Sequence, residues 1–205
     1  MEIPVYLFTG FLEAGKTRFI QDTLASQLIA GGSNVLLLVC EEGIEEFDPG
    51  AFLNPNVHCE VIEDEEDLSE ALLLSLLRKH NASVVMIEYN GMWQLSSLYD
   101  QLPEDWYVYQ ELLLIDAETI ENYNKNMRSL VVDKLTSADL VSFNRVTADT
   151  DRMPLHKLVR GVSRTARIIY DLENGSFEYD EIEDPLPFDI NAPVVKIGDR
   201  DFAYW

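Results

Sequence analysis

Cysteine is scarce in this chain, which has only Cys40 and Cys59 among 205 residues. Two cysteines are too few for the disulfide framework of a small secreted protein. Long hydrophobic runs are missing too: the longest, such as residues 35–40, have the length of a strand and not of a membrane span. Because Glu2 and Pro4 stand where a signal peptide would carry positive charge, we expect a cytoplasmic protein.

Positive charge is also in short supply. Lys and Arg together number 15 against 37 Asp and Glu, which gives a net charge of -22. This charge repels nucleic acid and anionic membrane surfaces, so we expect neither as a partner. It also repels free nucleotides at long range. Any phosphate site in this chain must therefore be strongly organised by local groups.

Hydrophobic residues, by contrast, make up 47 % of the chain, which is enough to build a full core. The length fits one domain of ordinary size with little left over. We assign residues 1–181 to this domain. Residues 182–205 are expected to form a C-terminal extension, or the start of a second domain that the sequence does not complete.

Strand and helix patterns alternate along the domain. Short apolar, β-branched runs predict strands at residues 3–9, 35–40, 57–62, 83–88, 111–116 and 140–144. Helical spacing of apolar residues predicts helices near residues 16–30, 66–79, 117–134 and 154–160. The segment 166–180 contains Asn174-Gly175, a strong signal for a hairpin turn. This alternation predicts an α/β fold with a mainly parallel sheet, helices on both faces and a C-terminal hairpin.

The few basic residues are concentrated late in the chain. Six of them lie within one short stretch, at Arg145, Arg152, Lys157, Arg160, Arg164 and Arg167. One interpretation is a solvated helix face. The other is a basic rim near a nucleotide, or a docking face.

The most specific motif is Gly10-Phe11-Leu12-Glu13-Ala14-Gly15-Lys16-Thr17, which fits G-x-x-x-x-G-K-[ST] throughout. It lies between a predicted strand and a predicted helix, as the phosphate-binding loop of a P-loop NTPase does. Glycines let backbone N–H groups surround phosphate oxygens, and the helix N-terminus adds its positive dipole end. We expect Lys16 to contact the β- and γ-phosphates and the Thr17 hydroxyl to ligate Mg²⁺. The predicted nucleotide contacts here are Gly10, Glu13, Ala14, Gly15, Lys16, Thr17 and Arg18.

The sequence resembles a known family over most of residues 3–181. Ile3-Pro4-Val5, then Phe8-Thr9-Gly10-Phe11-Leu12, then Ala14-Gly15-Lys16-Thr17 is similar to the CobW (cobalamin synthesis protein) family of P-loop GTPases. The resemblance implies a GTPase that uses Mg²⁺ and acts in metal delivery or metal-dependent maturation. It further implies that Glu88, in Glu88-Tyr89-Asn90-Gly91, takes the Walker B role on Mg²⁺ through water. The Gly91 N–H would then sense the γ-phosphate.

Two later segments fit the same family in order. Cys40-Glu41-Glu42-Gly43 lies where the family has a switch segment. Either Glu42 or Glu88 is a candidate to position the attacking water. Asn144-Arg145-Val146-Thr147 lies where the family reads guanine with Asn-Lys-x-Asp. Asn144 and Arg145 are therefore predicted base contacts.

The base-reading segment departs from the family at its last position. Thr147 cannot accept two hydrogen bonds from guanine in the way a carboxylate does, although Asp149 lies nearby and is a possible substitute. We expect GTP as the nucleotide, with ATP left open.

The family's cysteine-rich metal motif is reduced here to Val57-His58-Cys59-Glu60. Cys59 could hold a transition metal cargo such as Zn or Co, together with His58, Cys40 or a switch glutamate. The alternative is that Cys40 and Cys59 are buried strand residues and that His58 is exposed.

Three functions fit these motifs. The first is a slow GTP-hydrolysing switch that acts on a metal-receiving client protein or on a downstream domain. The second is a nucleotide sensor or scaffold with relaxed base specificity and little catalysis. The third is a P-loop kinase, for which the arginine-rich stretch would serve as a lid. We adopt the first as the working hypothesis.

Overall fold

A computed structural model describes residues 2–26, 32–41, 47–172 and 175–182. The strands are β1 Ile3–Thr9, β2 Val35–Val39, β3 Val57–Val61, β4 Val84–Glu88, β5 Trp106–Asp116, β6 Leu140–Val146, β7 Arg167–Leu172 and β8 Phe177–Tyr179. The helices are α1 Lys16–Leu24, α2 Glu70–His80, α3 Leu95–Tyr99, α4 Ile120–Asn126, α5 Arg128–Ser137 and α6 Arg152–Arg160. Short 3-10 turns lie at Pro49–Ala51 and Glu65–Asp67.

The strands form one sheet in the order β3-β2-β4-β1-β5-β6-β7-β8. All neighbouring strands run parallel except β7 and β8, which are antiparallel. β1 lies inside the sheet, between β4 and β5, with Val5 opposite both Val85 and Val108. The carboxyl ends of β1, β2 and β4 therefore meet at the same edge of the sheet, where parallel α/β proteins bind ligands.

Helices cover both faces of the sheet. On one face, Leu7 of β1 belongs to the same buried cluster as Leu73 of α2 and Leu98 of α3. On the other face, Phe8 of β1 packs in a cluster with Ile20 of α1. A third cluster joins β5, β6 and β7 to α4, α5 and α6. The predicted α/β fold, with a mainly parallel sheet covered on both faces, is confirmed.

The strand β5 begins at Trp106, five residues before the predicted start at residue 111. Its first half alternates buried and exposed residues, with Tyr107 and Tyr109 in solvent, and so contains no continuous apolar run. Pairing with β1, which places Ile3 opposite Trp106, extends the strand beyond what its own sequence indicates. Tertiary pairing overrides local propensity here.

Two helix starts differ from the sequence prediction because of capping residues. α2 begins at Glu70 and not near residue 66, since the Ser69 hydroxyl accepts a hydrogen bond from the Leu72 N–H at 3.4 Å. α6 begins at Arg152 and not at Pro154, since the Asp151 carboxylate accepts from the Met153 N–H at 3.1 Å. A proline within the first helical turn is tolerated because that turn has no partner for its N–H.

The remaining helices also differ in extent from the predictions. The helical region predicted at 117–134 consists of α4 and α5, which meet at Met127. α3 was not predicted, because five residues are too short to show a helical period. The helix predicted at 16–30 is observed to Leu24, and residues 27–31 lie outside the described part of the chain. None of the helices described is long and apolar enough to cross a membrane.

The predicted C-terminal hairpin is formed by β7 and β8, with Tyr170 opposite Glu178. Gly175 has a φ of 77° at the turn, and its N–H donates to the Leu172 carbonyl at 2.8 Å. Asn174 lies outside the described residues, as do residues 183–205 of the extension predicted at 182–205.

Basic residues of α6 attach the helix to this hairpin. Arg152 donates to Glu178 at 2.7 Å and lies 4.5 Å above the centre of the Tyr170 ring. Arg160 donates to the Ala166 carbonyl at 2.8 Å. Two of the six clustered basic residues therefore pack structural elements together.

Candidate nucleotide site

The glycine-rich loop connects the end of β1 to the start of α1, at the carboxyl edge of the sheet. Gly10 and Gly15 have φ values of 142° and 78°, a region that side-chain-bearing residues rarely adopt. A Cβ on Gly10 would lie 2.3 Å from the Leu114 carbonyl oxygen, and one on Gly15 would lie 2.7 Å from Asn144 Nδ2. The backbone conformation favours glycine at both positions, and at Gly10 the close contact with the β5 backbone leaves no room for a side chain.

The helix α1 presents an uncapped N-terminus to this loop. Its N-cap residue is Gly15, which offers no side-chain acceptor, and its first turn contains no acidic residue. The positive end of the helix dipole is thus not neutralised by a capping side chain or by an acidic residue of the helix itself. Such an N-terminus is suited to binding an anion, and the loop that precedes it supplies further N–H groups.

Lys16 lies inside the loop, with 2 % of its surface exposed. Its amine donates to the carbonyls of Gly10 and Phe11, both at 2.9 Å, and to Glu41 Oε2 at 2.5 Å. The ring of Phe11 stacks on Tyr123 of α4 at 4.0 Å, which fixes the outer side of the loop. Lys16, the residue predicted to bind phosphate, is therefore held against the first residues of the loop.

Thr17 and Glu88 meet although 71 residues separate them. The Thr17 hydroxyl donates to Glu88 Oε1 at 2.7 Å. Glu88 ends β4 and is 2 % exposed, and its backbone pairs with Phe8 of β1 just before the loop. A hydroxyl and a carboxylate beside a phosphate loop are the hard oxygen ligands that Mg²⁺ prefers, so this pair fits the metal that the motif implies.

Gly91 follows β4 and approaches the loop from the same side. A Cβ on this residue would lie 2.5 Å from the Gly10 oxygen and 2.7 Å from Phe11 Cα. Its N–H donates to Glu41 Oε1 at 3.0 Å. The structure thus brings Gly91 to the phosphate loop, as the resemblance implied.

Glu41 is the site residue that sequence reasoning missed. We expected Glu42 in this segment, but Glu42 lies outside the described residues and its role stays a prediction. The sequence feature that could have identified Glu41 is its position just after the predicted strand β2. The end of this strand lies beside the end of β4, since the Cys40 N–H donates to the Glu88 carbonyl at 2.8 Å.

The predicted base contacts Asn144 and Arg145 both touch the loop. Asn144 Nδ2 donates to the Ala14 carbonyl at 2.7 Å, and its buried Oδ1 accepts no hydrogen bond from the described residues. Arg145 forms an ion pair with Asp116 at the end of β5 and donates to the Glu13 carbonyl at 3.3 Å. These contacts link the carboxyl end of β6 to the phosphate loop.

The residue at the position of the guanine-reading carboxylate is engaged in a local turn. The backbone N–H of Thr147 donates to the Thr150 hydroxyl at 2.9 Å, and the two hydroxyls lie 3.2 Å apart. Asp149 is exposed within the same turn. The substitution of Asp149 for the guanine-reading carboxylate stays a prediction.

Arg18, the last of the predicted nucleotide contacts, points away from the loop. It is 78 % exposed and lies 3.8 Å from Asp22 one turn along α1. Its contribution to phosphate binding also stays a prediction.

The two cysteines differ in exposure. Cys40 is buried, as expected for a strand end inside the sheet, but Cys59 is exposed because β3 is an edge strand. The alternative interpretation, that both cysteines are buried, was therefore wrong for Cys59. His58 is partly buried and stacks on His80 with ring centres 4.5 Å apart. In the described segments, no three His, Cys, Asp or Glu side chains are arranged to hold a metal ion, and the Cys59 metal site stays a prediction.

The cysteines give a direct test of this arrangement. Burial, with smaller contributions from Glu88 and Glu41, raises the pKa of Cys40 to about 12, so its thiol stays protonated at neutral pH. Burial, followed by Glu60, also raises the pKa of Cys59, so we expect slow labelling of that exposed thiol. Iodoacetamide at about pH 8 should modify Cys59 in the folded protein and Cys40 only after unfolding, as read by peptide mass spectrometry. Equal labelling rates for both in the folded protein would contradict the structure.

Comparisons with known proteins bear on the family and the fold of this chain. A model of the CobW/HypB/UreG nucleotide-binding domain matches residues 4–170. The solved structure of Zn(II)-bound YjiA GTPase from E. coli is similar with a TM-score of 0.58 and 22 % identity, over 82 % of this chain and 57 % of that one. Hydrogenase maturation factor HypB from Archaeoglobus fulgidus is similar with a TM-score of 0.58 and 14 % identity, over 84 % of this chain and 82 % of that one.

At these identities, the two structures share the fold with this chain. The chain spans a little over half the length of YjiA. Among curated protein sequences, none matches.

Proposed function

Because this chain belongs to the CobW/HypB/UreG nucleotide-binding family, we propose that it is a GTP-binding switch protein that hydrolyses GTP slowly with Mg²⁺. The observation that carries this proposal is the arrangement around the glycine-rich loop. The Lys16 amine lies inside the loop, and the Thr17 hydroxyl donates to Glu88 on the neighbouring strand. Binding of a triphosphate with its metal requires a cation, a hydroxyl and a carboxylate close together.

Each residue contributes charge or position to the reaction. Lys16, the loop N–H groups and the N-terminus of α1 would neutralise the phosphate oxygens. Thr17 and Glu88 would hold Mg²⁺, which supplies further neutralisation of the charge on the leaving phosphate. Catalysis of this kind is mostly positioning, so slow intrinsic turnover is expected. Glu88 and Glu42 remain the candidates to orient the attacking water.

We place the switch in metal homeostasis or in the maturation of a metal cofactor. The supporting comparisons are a Zn(II)-bound GTPase and a hydrogenase maturation factor that share the fold. In the proposed cycle, the nucleotide state controls a client protein or a further domain that receives a metal such as Zn or Co. Cys59 is exposed on the edge strand β3, where a cargo ion could reach it from solvent.

The test is calorimetric titration of GTP and, separately, of ATP with Mg²⁺, followed by measurement of phosphate release. We expect GTP to bind more tightly and phosphate to appear slowly. Equal affinities would favour the second candidate, a sensor with relaxed base choice, because Thr147 stands where a carboxylate would read guanine. Failure of both nucleotides to bind would refute the proposed function.

A kinase is the less favoured alternative. A kinase lid would need its arginines available to the nucleotide, whereas Arg152 and Arg160 are bonded to Glu178 and Ala166. A kinase would also phosphorylate an added acceptor and release no free phosphate.

The Mg²⁺ site can be tested by Thr17→Ala. This change removes a ligand oxygen, so Mg²⁺ should raise the affinity for GTP about tenfold less than it does in the unchanged protein. Thr17→Ser, which keeps the hydroxyl, should restore most of the Mg²⁺ effect. Thr136→Ala is the matched control, because Thr136 is exposed on α5 and its hydroxyl donates to the Val132 carbonyl one turn before it. An undiminished Mg²⁺ effect in Thr17→Ala would refute the assigned ligand.

A further inference from the structure

The carboxylate of Glu41 bridges two groups of the phosphate site. One oxygen, Oε2, accepts from the Lys16 amine at 2.5 Å, and the other, Oε1, accepts from the Gly91 N–H at 3.0 Å. The Glu41 side chain is 9 % exposed and that of Lys16 is 2 % exposed, so the pair is shielded from water. These two donors belong to the elements that converge on the loop, namely α1 and the segment after β4.

Both donors are expected at the γ-phosphate, Lys16 because of the phosphate-loop motif and the Gly91 N–H because of the family resemblance. A carboxylate and a terminal phosphoryl group are both anionic and both accept hydrogen bonds through oxygens held at similar spacing. The Gly91 N–H can serve only one acceptor well, and Lys16 has three donors, all of which are used by Gly10, Phe11 and Glu41. Two anions cannot share this place without strong repulsion.

We propose that Glu41 holds the γ-phosphate position in the nucleotide-free protein, and that a nucleoside triphosphate must displace it whereas a diphosphate need not. This inference rests on the proposed function. A diphosphate competes for the Lys16 amine but ends before Gly91, so the contact between Glu41 Oε1 and the Gly91 N–H can persist. A triphosphate must break both contacts.

Displacement of Glu41 gives the protein a means to report which nucleotide is bound. Glu41 lies two residues after the end of β2, in the segment that the family resemblance identifies as a switch. Loss of its two contacts on triphosphate binding frees this residue to take another position. Departure of the γ-phosphate after hydrolysis makes the two donors available again, and the carboxylate returns to them.

A purely structural ion pair makes a different prediction. If Glu41 served only to neutralise buried Lys16, its removal would change the affinities for diphosphate and triphosphate by the same factor. If Glu41 holds the γ-phosphate position, its removal raises the affinity for the triphosphate more than the affinity for the diphosphate.

The experiment compares Glu41→Gln with the unchanged protein, using GDP and a non-hydrolysable GTP analogue in calorimetric titrations with Mg²⁺. The amide still accepts from the Gly91 N–H but carries no charge, so its hold on Lys16 is weaker. We expect the ratio of analogue affinity to GDP affinity to rise about tenfold. An unchanged ratio, or one that falls, would overturn the inference.

Glu104→Gln is the matched control, because Glu104 is exposed and lies beside the amino end of β5, at the opposite edge of the sheet from the loop. Glu104→Gln changes the net charge by the same amount as Glu41→Gln and should leave the ratio of analogue affinity to GDP affinity unchanged. Glu41→Asp serves as a second variant. Its carboxylate is one methylene shorter and cannot bridge both donors, so the ratio should also rise.

A further readout is the amide resonance of Gly91 in NMR spectra of the unchanged protein. The analogue should shift this resonance strongly and GDP only weakly, while equal shifts would count against displacement of Glu41. Failure of the unchanged protein to bind either nucleotide would instead refute the proposed function, and this inference with it. Normal binding with an unchanged ratio in Glu41→Gln would refute this inference alone.

Discussion

Lys16→Ala is expected to weaken triphosphate binding by at least about 100-fold, as measured by calorimetry with Mg²⁺. The amine is the one side-chain cation enclosed by the described part of the loop, and it is buried. Without it, the phosphate oxygens would face the carbonyls of Gly10 and Phe11 and the carboxylate of Glu41, all of which repel an anion.

The fold should survive this change, which circular dichroism can verify. Lys125→Ala is a suitable control, because Lys125 is 63 % exposed and its ion pair is with Glu121, one turn before it on α4. This variant loses the same charge and should bind GTP with unchanged affinity. Unchanged affinity in Lys16→Ala itself would refute the assignment of a phosphate loop.

Gly10→Ala is expected to reduce the free energy of unfolding by about 3 kcal/mol or more, as measured by urea denaturation. Two effects add at this position. The φ of 142° is unfavourable for alanine, and the new methyl group would lie 2.3 Å from the Leu114 carbonyl oxygen. Relief of this contact requires the loop to move away from β5, so nucleotide binding should be lost as well.

Gly32→Ala separates the two effects. Gly32 also has a positive φ, 74°, but apart from its chain neighbours no atom of the described residues lies within 4 Å of a Cβ built there. The change should therefore cost only about 1–2 kcal/mol for the backbone conformation, with nucleotide binding intact. Equal losses of stability in the two variants would show that the contact with Leu114 has no effect.

The phosphate loop could be predicted from sequence because its chemistry is local. The residues that wrap a phosphate follow one another directly between a strand and a helix, so the pattern alone identifies them. The loop pattern alone does not indicate that Glu88 lies near Thr17. The family resemblance predicted this, because it gives Glu88 the Walker B role on Mg²⁺. The pairing of Phe8 with Glu88 in the sheet is the physical cause of that proximity.

Features that depend on the neighbours of a strand could not be predicted. Cys59 is exposed because β3 lies at the edge of the sheet, and no property of its own segment indicates this position. The first half of β5 is a strand because β1 pairs with it. Glu41 and Glu42 are adjacent acids of the same type, so the sequence does not indicate that Glu41 contacts Lys16. That contact depends on the path of the chain after β2.

The central position of β1 has a consequence for the synthesis of this protein on the ribosome. β1 is made first among the strands, but its partners are β4, which ends at residue 88, and β5, which ends at residue 116. A nascent chain that stops short of residue 116 leaves the glycine-rich loop without the strand against which it packs. Because pairings between distant segments form slowly, the ability to bind a nucleotide arises only after residue 116 has been translated.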